Sequence, residues 1–269
     1  MSLPSDFWGR IVFLFEQYGA SYLKGAGTTL LIAVVSTFFG CVIGFIVGII
    51  QTIPVGKHDK AAKRVFLGIV NAILKIYVEL FRGTPMMVQA MFIYYGAAQI
   101  LSLRMNMWVA ALFIVSINTG AYMAETVRGG IVSIDIGQTE GASAIGMTHF
   151  QTMMYVVFPQ ALRNILPQIG NNLIINIKDT CVLSVIGTVE LFFASKSVAG
   201  TYYTYFESMT IAMVIYLVMT VTASKLLYWW EKKLDGPEEY DLATTDPLMF
   251  TSGLVHVPDK RRRRGEDGI

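Results

Sequence analysis

Residues 28–53 carry no charge, and that run limits the chain more than any other stretch of it. A helix needs about 20 apolar residues to cross the hydrocarbon core of a bilayer, so this segment is long enough to span one. Composition agrees. Charged residues make up 15% of the 269 positions and hydrophobic ones 54%, with a mean hydropathy of +0.53, whereas soluble domains carry roughly a quarter charged residues. The net charge of +2 is too small to indicate a nucleic-acid partner. Cys41 and Cys181 both lie in apolar surroundings and read as small hydrophobes rather than as a disulfide or metal pair. The first ten residues lack a basic front end and a small-residue cleavage site, so no signal peptide is expected.

Further uncharged runs lie between Arg104 and Glu125 and between Glu207 and Lys225, and a further apolar stretch from Ile165 to about Ala194 is interrupted by Lys178 and Asp179. Residues 65–103 read either as two crossings broken at Gly83-Thr84-Pro85 or as one crossing with a bent excursion. Positive loops favour the cytoplasm. Lys57, Lys60, Lys63 and Arg64 follow the first span, and Lys232, Lys233 and Arg261, Arg262, Arg263 and Arg264 follow the last. Both loops being cytoplasmic requires an even number of crossings between them, so residues 65–103 count once. The expected protein is all-α and integral to the membrane, with five transmembrane helices, its N-terminus outside and its C-terminus cytoplasmic.

Ahead of the first span, Phe7, Ile11, Leu14, Phe15, Tyr18 and Tyr22 recur at helical spacing, so residues 1–24 read as an interfacial amphipathic lead-in or, equally, as a packed lead-in to the first span. Residues 25–234 form the membrane domain, with a cytoplasmic loop at 129–164. Residues 235–269 lose all periodicity and read as a disordered cytoplasmic tail.

That loop contains GQTEGASAIGMTHFQ, residues 137–151. Glu140, Gly141, Ala142, Ala144 and Ile145 belong to a short, small-faced helix that Gly146 can end in a left-handed conformation. Thr148 and Gln151 form a capping box that starts a second helix, which Pro159 is expected to interrupt. A helix covered in small side chains suits insertion into a cleft of another protein.

Together with VELFRGTPMMVQAMFIYYG (78–96), GAYMAETVRGGIVSIDIGQ (120–138) and NLIINIKDTCVLSVIG (172–187), this loop resembles the amino-acid permease family of ABC importers. The family signature is Glu-Ala-Ala, three residues, Gly, nine residues, then Ile-x-Leu-Pro. Here it is matched by Glu140, Ala142, Gly146, Val156, Phe158 and Pro159, with Gly141 in place of the first Ala and Cys181 where Ser is usual in the third of the other segments. The resemblance implies the type I ABC importer permease fold in a bacterial cell membrane. It implies a translocation pathway shared with a second permease, identical or paralogous, that works by alternating access. It also implies docking of residues 140–146 on a cytosolic ATPase, two copies per complex, and delivery of an amino acid by an extracytoplasmic binding protein. No phosphate-binding loop is present, since Gly56-Lys57 is followed by His58. The chain is therefore expected to be non-catalytic and to need no cofactor.

Ionisable groups at membrane depth face a cavity or a partner. Glu79 and Arg82, and likewise Glu125 and Arg128, are spaced to pair along one helix. Arg82, Gln89, Asn118, Tyr122, Glu125, Asn172 and Asn176 are the substrate-pathway candidates, because a zwitterion needs donors at its carboxylate and acceptors at its ammonium. The competing reading is that these groups satisfy one another, with Asn172 and Asn176 joining helices. Ser184 and Ser195 have no facing histidine, and no metal-ligand spacing is present. A secondary, ion-coupled amino-acid transporter is the alternative, but it calls for a second broken segment matching 82–85 in an internal repeat.

Overall fold

The computed structural model describes residues 3–54, 56 and 60–235. The chain divides into a unit of residues 1–231 and a C-terminal unit of 232–269. Of the latter, residues 232–235 end the last helix, while Lys57, His58, the tail beyond Asp235 and its arginine run lie outside the described residues.

Every regular element described is helical: α1 (Phe7–Gln51), α2 (Ala61–Gly83), α3 (Met86–Ile100), α4 (Met107–Val132), α5 (Ile136–Ala144), α6 (His149–Thr152), α7 (Phe158–Asp179), α8 (Leu191–Tyr202) and α9 (Tyr205–Asp235). A π-helical stretch, Met153–Val157, joins α6 to α7, and a 3-10 stretch, Thr180–Ile186, leads from α7 toward α8.

Asp6 starts α1 by accepting from the Gly9 amide, and no proline or internal break stops the helix for 45 residues. At 1.5 Å per residue it is about 68 Å long, about twice the hydrocarbon thickness. The boundary expected at residue 24 thus falls inside one continuous helix, whose N-terminal part turns Leu14 and Tyr22 inward and leaves Trp8 exposed.

Gly40, Gly44 and Gly48 form a seam against α4. A Cβ on Gly40 would lie 2.6 Å from the Thr119 Cβ, and one on Gly48 would lie 2.7 Å from that of Val127. Because both numbers rise together along the seam, α1 and α4 run parallel. α7 runs antiparallel to α4: Gly130 packs on Ile165, Met123 meets Asn172, and Thr119 meets Asn176. α9 runs parallel to α1: Phe7 meets Phe206, Arg10 pairs with Glu207, and further along Ile11 and Phe15 line one cavity with Ile211 and Val214.

Among the described residues, three helices are long and apolar enough to cross a membrane, namely Phe7–Gln51, Met107–Val132 and Tyr205–Trp230. The pair His149–Ile186 and Leu191–Tyr202, bent by 53°, makes a fourth if counted as one span. α2 and α3 fall below that threshold. They change direction at Gly83-Thr84-Pro85, where Pro85 supplies the N-cap of α3 without an amide hydrogen.

Asn176 ties the centre together. It is buried, and its amide donates to the hydroxyls of Thr37 on α1 at 2.8 Å and Thr119 on α4 at 3.0 Å. Asn176→Leu leaves both buried hydroxyls without this partner. It is expected to lower stability by about 1–3 kcal/mol, read as a fall in melting temperature of the detergent-solubilised protein. An unchanged melting temperature would show that this centre contributes nothing.

Candidate functional site

Two sites emerge from this frame, one at the break between α2 and α3 and one in the α4–α7 loop. Ending α2 leaves its last carbonyls without helical partners. Thr84 Oγ1 donates to Leu80 O at 2.8 Å. The Gln89 side-chain amide donates to Phe81 O and Thr84 O, both at 2.9 Å, and Asn118 donates to Phe81 O at 3.2 Å and to Gln89 Oε1 at 2.8 Å. Gln89 and Asn118, both pathway candidates, therefore direct their donors at the break itself and hold α2, α3 and α4 in register.

Beside the break, Arg82 extends to α4. Its guanidinium lies 3.5 Å from Glu125 Oε2 and 5.6 Å from the centroid of the Tyr122 ring, a cation–π distance. Glu125 Oε1 also accepts from Arg128 one turn along α4. The expected Glu125–Arg128 pair is present. The expected Glu79–Arg82 pair is not: Glu79 pairs with Lys75 at 3.7 Å instead. Spacings of four and three residues on α2 allowed either partner, and the facing carboxylate of Glu125 draws Arg82 to α4. The three charged side chains of this triad are all half-exposed. Two cations share one carboxylate, so the cluster keeps an excess positive charge that suits an incoming carboxylate. Asn172, partly buried on α7, donates to Gln168 O at 2.9 Å and to the Met123 sulfur on α4.

Sequence reasoning passed over Glu190. It is fully buried, caps α8 by accepting from the Phe192 and Phe193 amides at 2.8 and 2.7 Å, and accepts from the Tyr216 hydroxyl on α9 at 2.9 Å. Its signal was a lone acid inside an apolar run. It fixes the bend between α7 and α8 rather than facing a cavity.

In the loop, α4 continues to Val132 and α7 begins at Phe158, so the helices occupy both ends of the interval 129–164. Asp135 caps α5 by accepting from the Gly137 amide. Gly146 adopts φ +83°, and the Thr148–Gln151 capping box is formed. Glu140, Gly141, Ala144 and Gly146 are exposed, whereas Ala142 faces inward. A Cβ added at Gly141 or Gly146 would meet no atom within 4 Å. Around them Ile136, Ile145, Phe150 and Tyr155 are all at least 71% exposed, an apolar surface of the kind that marks an interaction site. Pro159 does not stop the second helix as expected. The π-helical stretch ahead of it absorbs the missing amide hydrogen, and α7 continues from Phe158 with Pro159 in its first turn.

A family model described as "Binding-protein-dependent transport system inner membrane component" matches residues 60–236. The glutamine transport system permease protein GlnP of Escherichia coli is 36% identical over 232 residues, covering 86% of this chain and 96% of its own length. The nopaline transport system permease protein NocM of Agrobacterium fabrum is 34% identical over 213 residues, covering 75% and 87%. A crystal structure of "an amino acid ABC transporter with histidines" superposes with a TM-score of 0.73 at 32% identity, covering 86% of this chain and all of the other. The methionine ABC transporter MetNI, at 19% identity and a TM-score of 0.61, shares the fold.

Proposed function

The chain belongs to the family of binding-protein-dependent transport system inner membrane components, non-catalytic membrane subunits, and from that premise we propose that it is the permease of an ATP-driven amino-acid importer. The observation that carries this reading is the similarity to a glutamine transport permease over 86% of this chain, joined by the superposition on an amino acid ABC transporter over the same share. α5 is the element that docks on a cytosolic ATPase, the exposed Glu140, Gly141, Ala144 and Gly146 forming the contact. An extracytoplasmic binding protein supplies the amino acid, and a second permease, identical or paralogous, completes the pathway. The Arg82–Glu125–Arg128 cluster is the point where the amino acid is held on its way through. Its excess cation takes the carboxylate, and Glu125 takes the ammonium.

Five crossings fit this reading. Parallel α1 and α4 require the chain between them to return once across the membrane, which α2 and α3 do jointly. α7 with α8 then returns again, and α9 ends on the side where α1 ends. Basic residues follow both of those ends, which puts them in the cytoplasm.

The test is reconstitution of the chain with its ATPase and binding protein in proteoliposomes, followed by ATP-dependent uptake of labelled glutamine and arginine. Uptake driven by an ion gradient without ATP would overturn the proposal. For topology, single cysteines at Lys60 and Thr148, in a background lacking Cys41 and Cys181, are expected to resist an impermeant thiol reagent in intact cells. A cysteine at Ser5 is expected to react once any outer barrier is opened. Labelling at Lys60 from outside would reverse the orientation.

A further inference from the structure

The backbone joins α5 directly to α4 through residues 133–135, so any displacement of α5 reaches α4 first. Toward α7, by contrast, the backbone route passes through α6 and the π-helical stretch Met153–Val157. Such a stretch lacks the i to i+4 bonding that stiffens an α-helix. Pro159 lies two residues beyond its end and has no amide hydrogen to give to the preceding turn. Two side chains of α7 bypass this soft stretch. The Gln160 amide donates to Gln138 Oε1 on α5 at 3.3 Å and to Val156 O within the π stretch at 2.8 Å. One turn on, Asn164 donates to the Ser133 hydroxyl at 3.2 Å, and Ser133 in turn donates to Gly130 O on α4 at 2.8 Å. Residues 160 and 164 share a face of α7, and residues 133 and 138 bracket the start of α5. At the same level a Cβ on Gly130 would lie 2.6 Å from the side chain of Ile165, so α4 and α7 are already in close contact there.

We propose that Gln160, seconded by Asn164, is the positioning residue that yokes α5 to the base of α7, so that α5 and the first turn of α7 move as one body. The inference rests on α5 being the ATPase-docking element. Through Gln160 a push on α5 is shared between α4, which carries Glu125, and α7, which carries Asn176. Without it the displacement reaches α7 only indirectly, by way of α4 and the π stretch, and less of it arrives. Gln160 belongs to α7, so substituting it leaves every side chain of α5 in place for docking.

The experiment measures ATP hydrolysis and amino-acid uptake together in proteoliposomes holding the chain, its ATPase and its binding protein. Gln160→Met, similar in length and without an amide, is expected to keep the ATPase bound and hydrolysing. Uptake per ATP should fall by about two- to tenfold, the population ratio that one hydrogen bond sets. Gln138→Leu is expected to give the same loss from the other side of the bond. Gln138→Glu combined with Gln160→Lys, which restores an acceptor at 138 and a donor at 160, is expected to recover the ratio. Normal coupling in Gln160→Met overturns the proposal, as does failure of the Glu–Lys pair to recover it. Absence of ATP-driven uptake in the unmodified complex is a different result, and it removes the transport reading and this inference with it. Should Gln160→Met lower the yield of complex, the decision passes to Gln138→Cys with Gln160→Cys in a background lacking Cys41 and Cys181. Uptake retained after joining the two thiols with a short bifunctional reagent supports the single-body motion, and uptake lost on joining them refutes it.

Discussion

Gly141→Trp is expected to strip the ATPase from the purified complex and to reduce ATP-driven uptake by at least about tenfold, while the permease alone melts no lower than before. Within the chain the substitution meets no obstacle. Gly141 lies inside α5 and is exposed, and a Cβ there has no neighbour within 4 Å. Replacing a helical glycine also removes an intrinsic cost of up to about 1 kcal/mol, so local folding is favoured rather than harmed. The indole can collide only with something outside the chain. Overpacking a tight contact costs about 1–3 kcal/mol, which corresponds to roughly five- to 150-fold in binding. Gly141→Ala is the control and is expected to leave both assembly and uptake intact. Gly146 is a poorer place for this test, since its φ of +83° strains any residue with a side chain and would mix a folding defect with a docking defect. Full uptake in Gly141→Trp would remove α5 as the docking element.

What the sequence made legible was whatever depends on local spacing. The Thr148–Gln151 capping box and the turn at Gly146 are each set by residues a turn or less apart, and each appears where spacing placed it. What spacing left open was the choice among partners. Arg82 had Glu79 one turn away, but Glu125 on another helix takes it, because a half-buried guanidinium gains more from a facing carboxylate and the Tyr122 ring than from a solvated neighbour. Gln89 and Asn118 looked like free hydrogen-bonding capacity until the break at Gly83-Thr84-Pro85 exposed carbonyls for them to satisfy. Pro159 looked like a terminator because a proline cannot complete an α turn. A π stretch is the alternative, and nothing local announces one.

The cluster at Arg82, Glu125 and Arg128 yields the second large effect, and its tertiary pairing dictates how to read it. Glu125→Gln leaves two guanidinium groups facing each other across the gap one carboxylate had bridged. All three side chains are half-exposed, so solvent screens the loss and the stability cost is expected to be about 1 kcal/mol or less. That corresponds to a few degrees in melting temperature for a chain of this size. Uptake is expected to fall by far more, at least about tenfold, if Glu125 is also the group that receives the substrate ammonium, since each tenfold corresponds to only about 1.4 kcal/mol of lost interaction. Neutralising Arg128 alone is the mild case, because Arg82 still pairs with Glu125. The decisive variant is the triple change Arg82→Gln, Glu125→Gln and Arg128→Gln, which removes every charge and leaves no ion without its partner. Its melting temperature is expected to return to near that of the unmodified chain, while its uptake stays low. Recovery of both quantities would assign the triad to holding α2 against α4 and would move the search for the substrate's binding groups elsewhere along the pathway.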